Sequence, residues 1–265
     1  MIIRKTNDSF LLFPQHAHAK VSGQLAAAWG RDRSASPVSS SLLIAAEMHD
    51  CGWIDLDESP IWNETTEAPF SFLDYPQAPK LHAYTRGLNQ IQVQDPYAAL
   101  LCSLHYTSFF PIESDDKDVQ VFLNNEADRR GTISIEVGSN PNAHGLANVE
   151  RDLVWLKLLD DLSLFMCLNA PGSAPEHGIA WYKDGFRPIK LLAGEGPVRI
   201  HAAWCGTNQI QLDPFPLRSE TQTSLPYWEV AVQAIQTEGW QRAWQQATAR
   251  SLDVTWTSPE APCGA

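Results

Sequence analysis

Two adjacent side chains, His49 and Asp50, sit in the run AAEMHDCGW from Ala45 to Trp53. Leu42, Leu43, Ile44, Ala45, Ala46 and Met48 read as the end of a buried helix. The pair therefore brings an imidazole and a carboxylate into apolar surroundings, where an unpaired charge is expensive. A divalent metal held by imidazole nitrogen and carboxylate oxygen would compensate that cost. A plainer alternative is an Asp that closes the helix beside a half-buried His, with Gly52 as the C-terminal stop. Further ligands elsewhere in the chain would decide between the two.

Helical phase supplies candidates. If Gln15 to Trp29 is a helix, His18 shares a face with Val21, Ser22, Leu25 and Trp29, whereas His16 shares its face with Lys20 and Gly23. His18 is then the inward histidine, and a core histidine bonded to a carbonyl is the competing role. Downstream, His82 begins a helical stretch, and His105 in ALLCSLHYTSFF has Leu101 and Cys102 one turn before it and Phe109 one turn after. In VWLKLLDDLSLFMCL, Asp160 is in phase with Leu153, Leu156 and Leu164, and two adjacent carboxylates in so apolar a helix call for a cation. An Arg partner for Asp160 or Asp161 would serve as well.

Other chemistry lacks its signature. There is no Gly-x-Ser-x-Gly, Gly-x-x-x-x-Gly-Lys or Gly-x-Gly-x-x-Gly, which removes the sequence basis for a serine hydrolase, a P-loop or a dinucleotide site. Cys102 near His105 reads as a buried thiol rather than a nucleophile. His144, His177 and His201 have no acidic partner in phase. Of the ten Trp residues, Trp53 beside the His-Asp pair is the one expected to line a pocket, while Lys20, Lys80 and Arg86 are candidate anchors for an anionic group.

The elements that must position these residues are mainly helical. Ile2 to Arg4 and Phe10 to Phe13 flank a turn and suggest a hairpin. Helices are predicted over Gln15 to Trp29, Ser40 to His49, Leu81 to Gln92, Pro96 to Thr107, Asp118 to Arg130 and Val149 to Leu168. The proline-rich stretch from Pro60 to Pro79 reads as a long ordered loop. After Ala170 the pattern changes to strands over Val198 to Trp204, Gln209 to Leu212 and Tyr227 to Ala234, a helix over Glu238 to Arg250 and a last strand over Leu252 to Trp256. The expectation is an α+β protein: a helical unit over 1–170 with its N-terminal hairpin, and a small mixed β/α C-terminal unit over 171–265, its strands antiparallel, packed on it.

Composition sets the surroundings. With 265 residues and 44% hydrophobic content the chain can build a proper core. A formal charge of −12 argues against nucleic acid or an anionic membrane as the main partner and favours a small-molecule substrate, with assembly into a homo-oligomer left open. No segment is apolar enough to span a bilayer, and Arg4, Lys5 and Asp8 interrupt any signal-peptide core. Five scattered cysteines, Cys51, Cys102, Cys167, Cys205 and Cys263, fit free thiols in a reducing compartment, so the protein is expected in the cytoplasm.

The order His18, His49-Asp50, His82, His105, Asp160 resembles the HD superfamily of metal-dependent phosphohydrolases, with AAEMHDCGW similar to its central motif and LLDDLS, Leu158 to Ser163, similar to its closing one. The extra histidines resemble its dinuclear branch. QHAHAKVSGQLAAAWG, SLHYTSF and LDPFPL resemble a bacterial HD-like family of unknown function over nearly the whole chain. The resemblance implies that His18, His49, Asp50 and Asp160 hold one metal, and that Asp50 bridges to a second completed by His82 and His105. His16 and Asp161 are the substitutes for His18 and Asp160. It implies two divalent transition metals, with iron ahead of manganese, zinc and cobalt, and a hydrolase of a small phosphorylated or related anionic metabolite acting through a metal-bound hydroxide. Asp50, Trp53, Lys20 and Arg86 would be the residues facing the reaction. The alternatives are a diiron oxygenase of the same fold, acting on a hydroxylated molecule or a phosphonate, and a non-catalytic, metal-stabilised module.

Overall fold

The computed structural model describes residues 1–30, 38–139, 146–174, 178–190 and 196–262. His144, His177 and Cys263 lie outside the described residues. The chain opens with a hairpin, β1 (Ile2–Lys5) and β2 (Ser9–Phe13), and enters α1 (Gln15–Ala28) and α2 (Ser40–Met48). A single 3-10 turn, Cys51–Trp53, leads into α3 (Ile54–Glu58) and a two-residue ladder of β3 (Trp62–Asn63) with β4 (Ala68–Pro69). Four further helices follow: α4 (Gln77–Gln94), α5 (Pro96–Thr107), α6 (Lys117–Ser139) and α7 (Val149–Leu168). The C-terminal part adds β5 (His201–Trp204), β6 (Gln209–Asp213), β7 (Thr221–Ala231), α8 (Val232–Glu238), α9 (Trp240–Gln245) and β8 (Thr248–Thr257). The class is α+β and mostly helical, as the periodicities predict.

Local chemistry sets the helix boundaries. Ser39 caps α2 by accepting the Leu42 N–H at 3.1 Å. Asp95 caps α5 through the Ala98 N–H at 2.8 Å, with Pro96 in the first turn, and its other oxygen accepts the Ser41 hydroxyl at 2.7 Å. One carboxylate thus ties the start of α5 to the start of α2. α4 begins four residues earlier than predicted because Pro79 falls in the first turn, where a missing N–H costs nothing. α6 runs past Arg130 because Ile133 and Val137 continue its buried face.

The sheet departs from the prediction. Its order is β1-β2-β7-β8-β6-β5, antiparallel except for the parallel pair β6 and β8, so the N-terminal hairpin and the C-terminal strands form one sheet. Phe10 is opposite Val230, and Leu12 is opposite Trp228. One hydrophobic core includes Ile2, Phe13, Leu159, Ile210 and Trp256, residues from both sides of position 170. The helix expected over Glu238 to Arg250 is shortened to α9, with Gly239 at φ 79° separating it from α8 before it and β8 beginning at Thr248. From β1, the guanidinium of Arg4 donates to the Cys167 and Asn169 carbonyls at 3.1 and 2.6 Å, fastening the end of α7 to the sheet.

Cys51, Cys102 and Cys167 are buried free thiols, whereas Cys205 is disulfide-bonded. Cys205 therefore departs from the expected set of free thiols. Among the described residues no helix is long and apolar enough to cross a membrane.

Candidate metal centre

His18 on α1, His49 and Asp50 at the end of α2, His105 on α5 and Asp160 on α7 converge in the helical body, each at most 8% exposed. α1 packs on α2 and α7, and α5 packs on α2 and α7, which brings the four segments together. One donor atom each from His18, His49 and Asp160 lies within 4.8 Å of the other two. His49 Nε2 is 3.4 Å from Asp160 Oδ1 and 3.9 Å from Asp50 Oδ2. His18 Nε2 is 2.9 Å from Asp50 Oδ2, and His105 Nε2 is 3.3 Å from Asp160 Oδ2. Two donors each about 2.1 Å from one ion lie about 3.0 Å apart at a right angle and about 3.4 Å apart at the tetrahedral angle. The separations of 2.9 to 3.4 Å fall in that range, and the 3.9 Å between His49 and Asp50 is wider.

The hydrogen-bond network fixes which nitrogens are free. Ser163 donates to the Asp160 carbonyl at 2.9 Å, so its oxygen accepts from His18 Nδ1 at 2.8 Å. His18 Nε2 then turns a lone pair toward the Asp50 carboxylate, a contact that needs a cation between them, either a second proton or a metal. His49 Nδ1 donates to the Ala46 carbonyl at 2.9 Å, which leaves Nε2 as the lone-pair nitrogen. Asp160 Oδ1, at 3.4 Å, is beyond the usual hydrogen-bond distance, and His49 Nε2 is buried without a closer partner. A buried imidazole nitrogen between two carboxylates could hold a metal ion, and the mixed donor set would suit a first-row divalent ion better than calcium.

Charge reinforces this. Burial raises the pKa of Asp50, but His49 and then His18 outweigh it and hold the carboxyl below its usual range. Burial also opposes ionisation of Asp160, yet His105 and His49 hold it well below that range. Both carboxylates are therefore in the form that binds a cation. Burial alone would lower His49, but Asp50 and Asp160 prevail and raise it to about 9, so with no ion bound a proton takes the place on Nε2 that a metal would displace. Burial dominates at His105 and lowers it.

Several predicted residues lie elsewhere. His82 is exposed on α4, whose buried face is formed by Leu81, Tyr84, Leu88 and Ile91, so it does not join the cluster and His105 joins Asp160 instead. Trp53 is fully buried between Tyr75 and Tyr84 and is core rather than pocket wall. Arg86 is committed to the Gly52 carbonyl at 2.7 Å and to Asp55 at 2.6 Å, which leaves it unsuited as an anion anchor. Asp161 pairs with Arg187 at 2.9 Å, which leaves Asp160 as the carboxylate of the cluster, and burial beside Asp160 raises Asp161 to about 6. Lys80 is buried. Lys20 is exposed and lines a groove with His16 on another side of α1. Burial pushes the Cys102 thiol well above its usual pKa, the opposite of a nucleophile.

The sequence reading assigned no role to the residues that orient the ligands. Ser163 touches His18, Asp160 and, through Ser22 at 2.9 Å, a second hydroxyl. Tyr106 donates to the His49 carbonyl and lies 3.2 Å from Asp50 Oδ1. The available signal was spacing: Ser163 follows Asp160 by three residues on one helical face. Removing an outer partner of a ligating histidine typically weakens metal binding about 10- to 100-fold. Ser163→Ala is expected to do so by freeing His18 Nδ1, measured by competition with a chromogenic chelator; an unchanged affinity would show that His18 is not a ligand.

No curated protein and no solved structure matches the chain. The family described as protein of unknown function DUF3891 matches residues 1–231, and with that match covering most of its length the chain belongs to this family.

Proposed function

We propose that this protein is a metal-dependent hydrolase of a small phosphorylated or related anionic metabolite. The observation that carries the reading is His49 Nε2, buried and unpartnered, with its other nitrogen pinned to Ala46 and two ionised carboxylates within 3.9 Å. The resemblance of AAEMHDCGW and LLDDLS to the HD phosphohydrolase motifs supports it. His18, His49 and Asp160 would hold the ion, with Asp50 in contact with both histidines. A divalent ion there supplies Lewis acidity, lowering the pKa of a water and polarising a phosphoryl oxygen.

The chain's own residues keep that site in working form. Ser163 and the Ala46 carbonyl fix the tautomers of His18 and His49. Tyr106, whose hydroxyl donates to the His49 carbonyl, lies beside Asp50 Oδ1, while the other oxygen of Asp50 faces His18. His105 Nε2 faces the outer oxygen of Asp160 and favours its ionised form. Exposure of His82 withdraws one of the residues implied for a second ion, which weighs against two-iron oxygenase chemistry.

The test is metal content of anaerobically prepared protein together with a phosphoester panel. About one equivalent of transition metal, with turnover lost to a chelator and restored by reconstitution, is the expected result. Two irons with a mixed-valent signal and oxygen consumption would replace this reading with the oxygenase. Less than about half an equivalent after reconstitution would favour the non-catalytic module.

A further inference from the structure

His16, Lys20 and Gln24 recur every four residues and form a polar stripe along α1. His18 lies two residues from His16, about 200° around the helix, so the stripe and the metal centre occupy different sides of α1. The stripe lines a groove of about 810 Å³, closed by α3 and by Trp228 and Trp244 from β7 and α9. That volume is in the range of small-molecule sites. His16 Nδ1 is buried there without a hydrogen-bond partner.

We propose that this groove is a second binding site, separate from the metal centre, for a sugar phosphate. Lys20 provides the cation for the phosphate, and the unpartnered imidazole of His16 provides a neighbouring donor. Trp228 and Trp244, with ring centroids 5.9 Å apart and planes inclined at 54°, form an angled indole wall for the C–H face of a ring. Gln24, Ser224 and Gln245 offer amide and hydroxyl groups that both donate and accept, the pattern that sugar hydroxyls require. Glu58 accepts from a further hydroxyl at the end where the groove meets a second one beside Trp62 and Trp240. The carboxylate of Asp57 faces the Gln15 N–H at 2.6 Å.

Titration of the full chain with glucose 6-phosphate, followed by calorimetry and tryptophan fluorescence, tests the assignment. Lys20→Met is expected to weaken binding about tenfold or more, the loss of one charge-assisted contact. Trp244→Ala is expected to weaken it up to about tenfold, with Trp244→Phe in between as the variant that preserves packing on Trp240. Glucose alone should bind more weakly and be indifferent to Lys20→Met. Binding should survive His49→Gln; its loss there would place the ligand at the metal centre and overturn the second site. No saturable binding of hexose phosphates up to about 10 mM, equal affinity for inorganic phosphate, or tighter binding of adenosine monophosphate or phosphocholine would also overturn it. None of these readouts depends on hydrolysis, so the functional reading can fail while the groove stands, and the reverse.

Discussion

Asp50→Asn is expected to lower phosphoester turnover by about 10³-fold, some 4 kcal/mol of transition-state stabilisation, while the protein remains folded. Asp50 Oδ2 lies 2.9 Å from a His18 nitrogen whose lone pair needs a cation. An Asn amide in that place can turn its N–H to the lone pair, so the substitution removes a negative charge and ties up a ligand in one step. Metal content should fall together with activity, and circular dichroism should show native helix content. His82→Ala is the comparison: its side chain is exposed, and metal content should not change. Turnover of Asp50→Asn within tenfold of the parent, or metal lost from His82→Ala, would show that the ligands have been misassigned.

His18 was legible because Val21, Ser22 and Leu25 set the phase of α1, and Ala19, Val21 and Leu25 are indeed fully buried around it. His105 was legible for the same reason, from Leu101 and Cys102 one turn earlier. The choice between Asp160 and Asp161 was not, because both sit in the same apolar helix and what separates them is Arg187, 26 residues later. His82 could have been excluded: Leu81, Tyr84, Leu88 and Ile91 define a face from which it is turned away, but the expected ligand order outweighed the phase. The sheet could not be read at all. Individual strands are local patterns, whereas the pairing of β2 with β7 joins residues more than two hundred positions apart, and nothing in either strand names its partner. Gly52, which the sequence suggests as a helix stop, has a different task.

Gly52→Ala is expected to destabilise the fold by about 3 kcal/mol or more, because overpacking against backbone cannot be relieved by rotating a side chain. Gly52 lies in the 3-10 turn just after Asp50, where a Cβ would stand 2.1 Å from the Ala83 carbonyl oxygen and 2.9 Å from its carbon. The contact is reciprocal, since a Cβ on Gly87 would stand 2.8 Å from the Gly52 nitrogen. α4 therefore rests directly on the turn, and Arg86, which donates to the Gly52 carbonyl at 2.7 Å, clamps the approach. Adding a methyl group must push α4 away or shift the turn, and Asp50 is two residues from it. The melting temperature should fall by roughly 6 to 12 °C, and metal affinity should fall with it. Gly131→Ala provides the opposite sign. It lies inside α6 with nothing within 4 Å of the added Cβ, so relief of glycine's unfolded-state entropy should stabilise the protein by about 0.5 to 1 kcal/mol. Urea unfolding of the two variants measures both effects, and a Gly52→Ala protein that unfolds at the parent's midpoint would mean that α4 does not pack against the turn that carries the His-Asp pair.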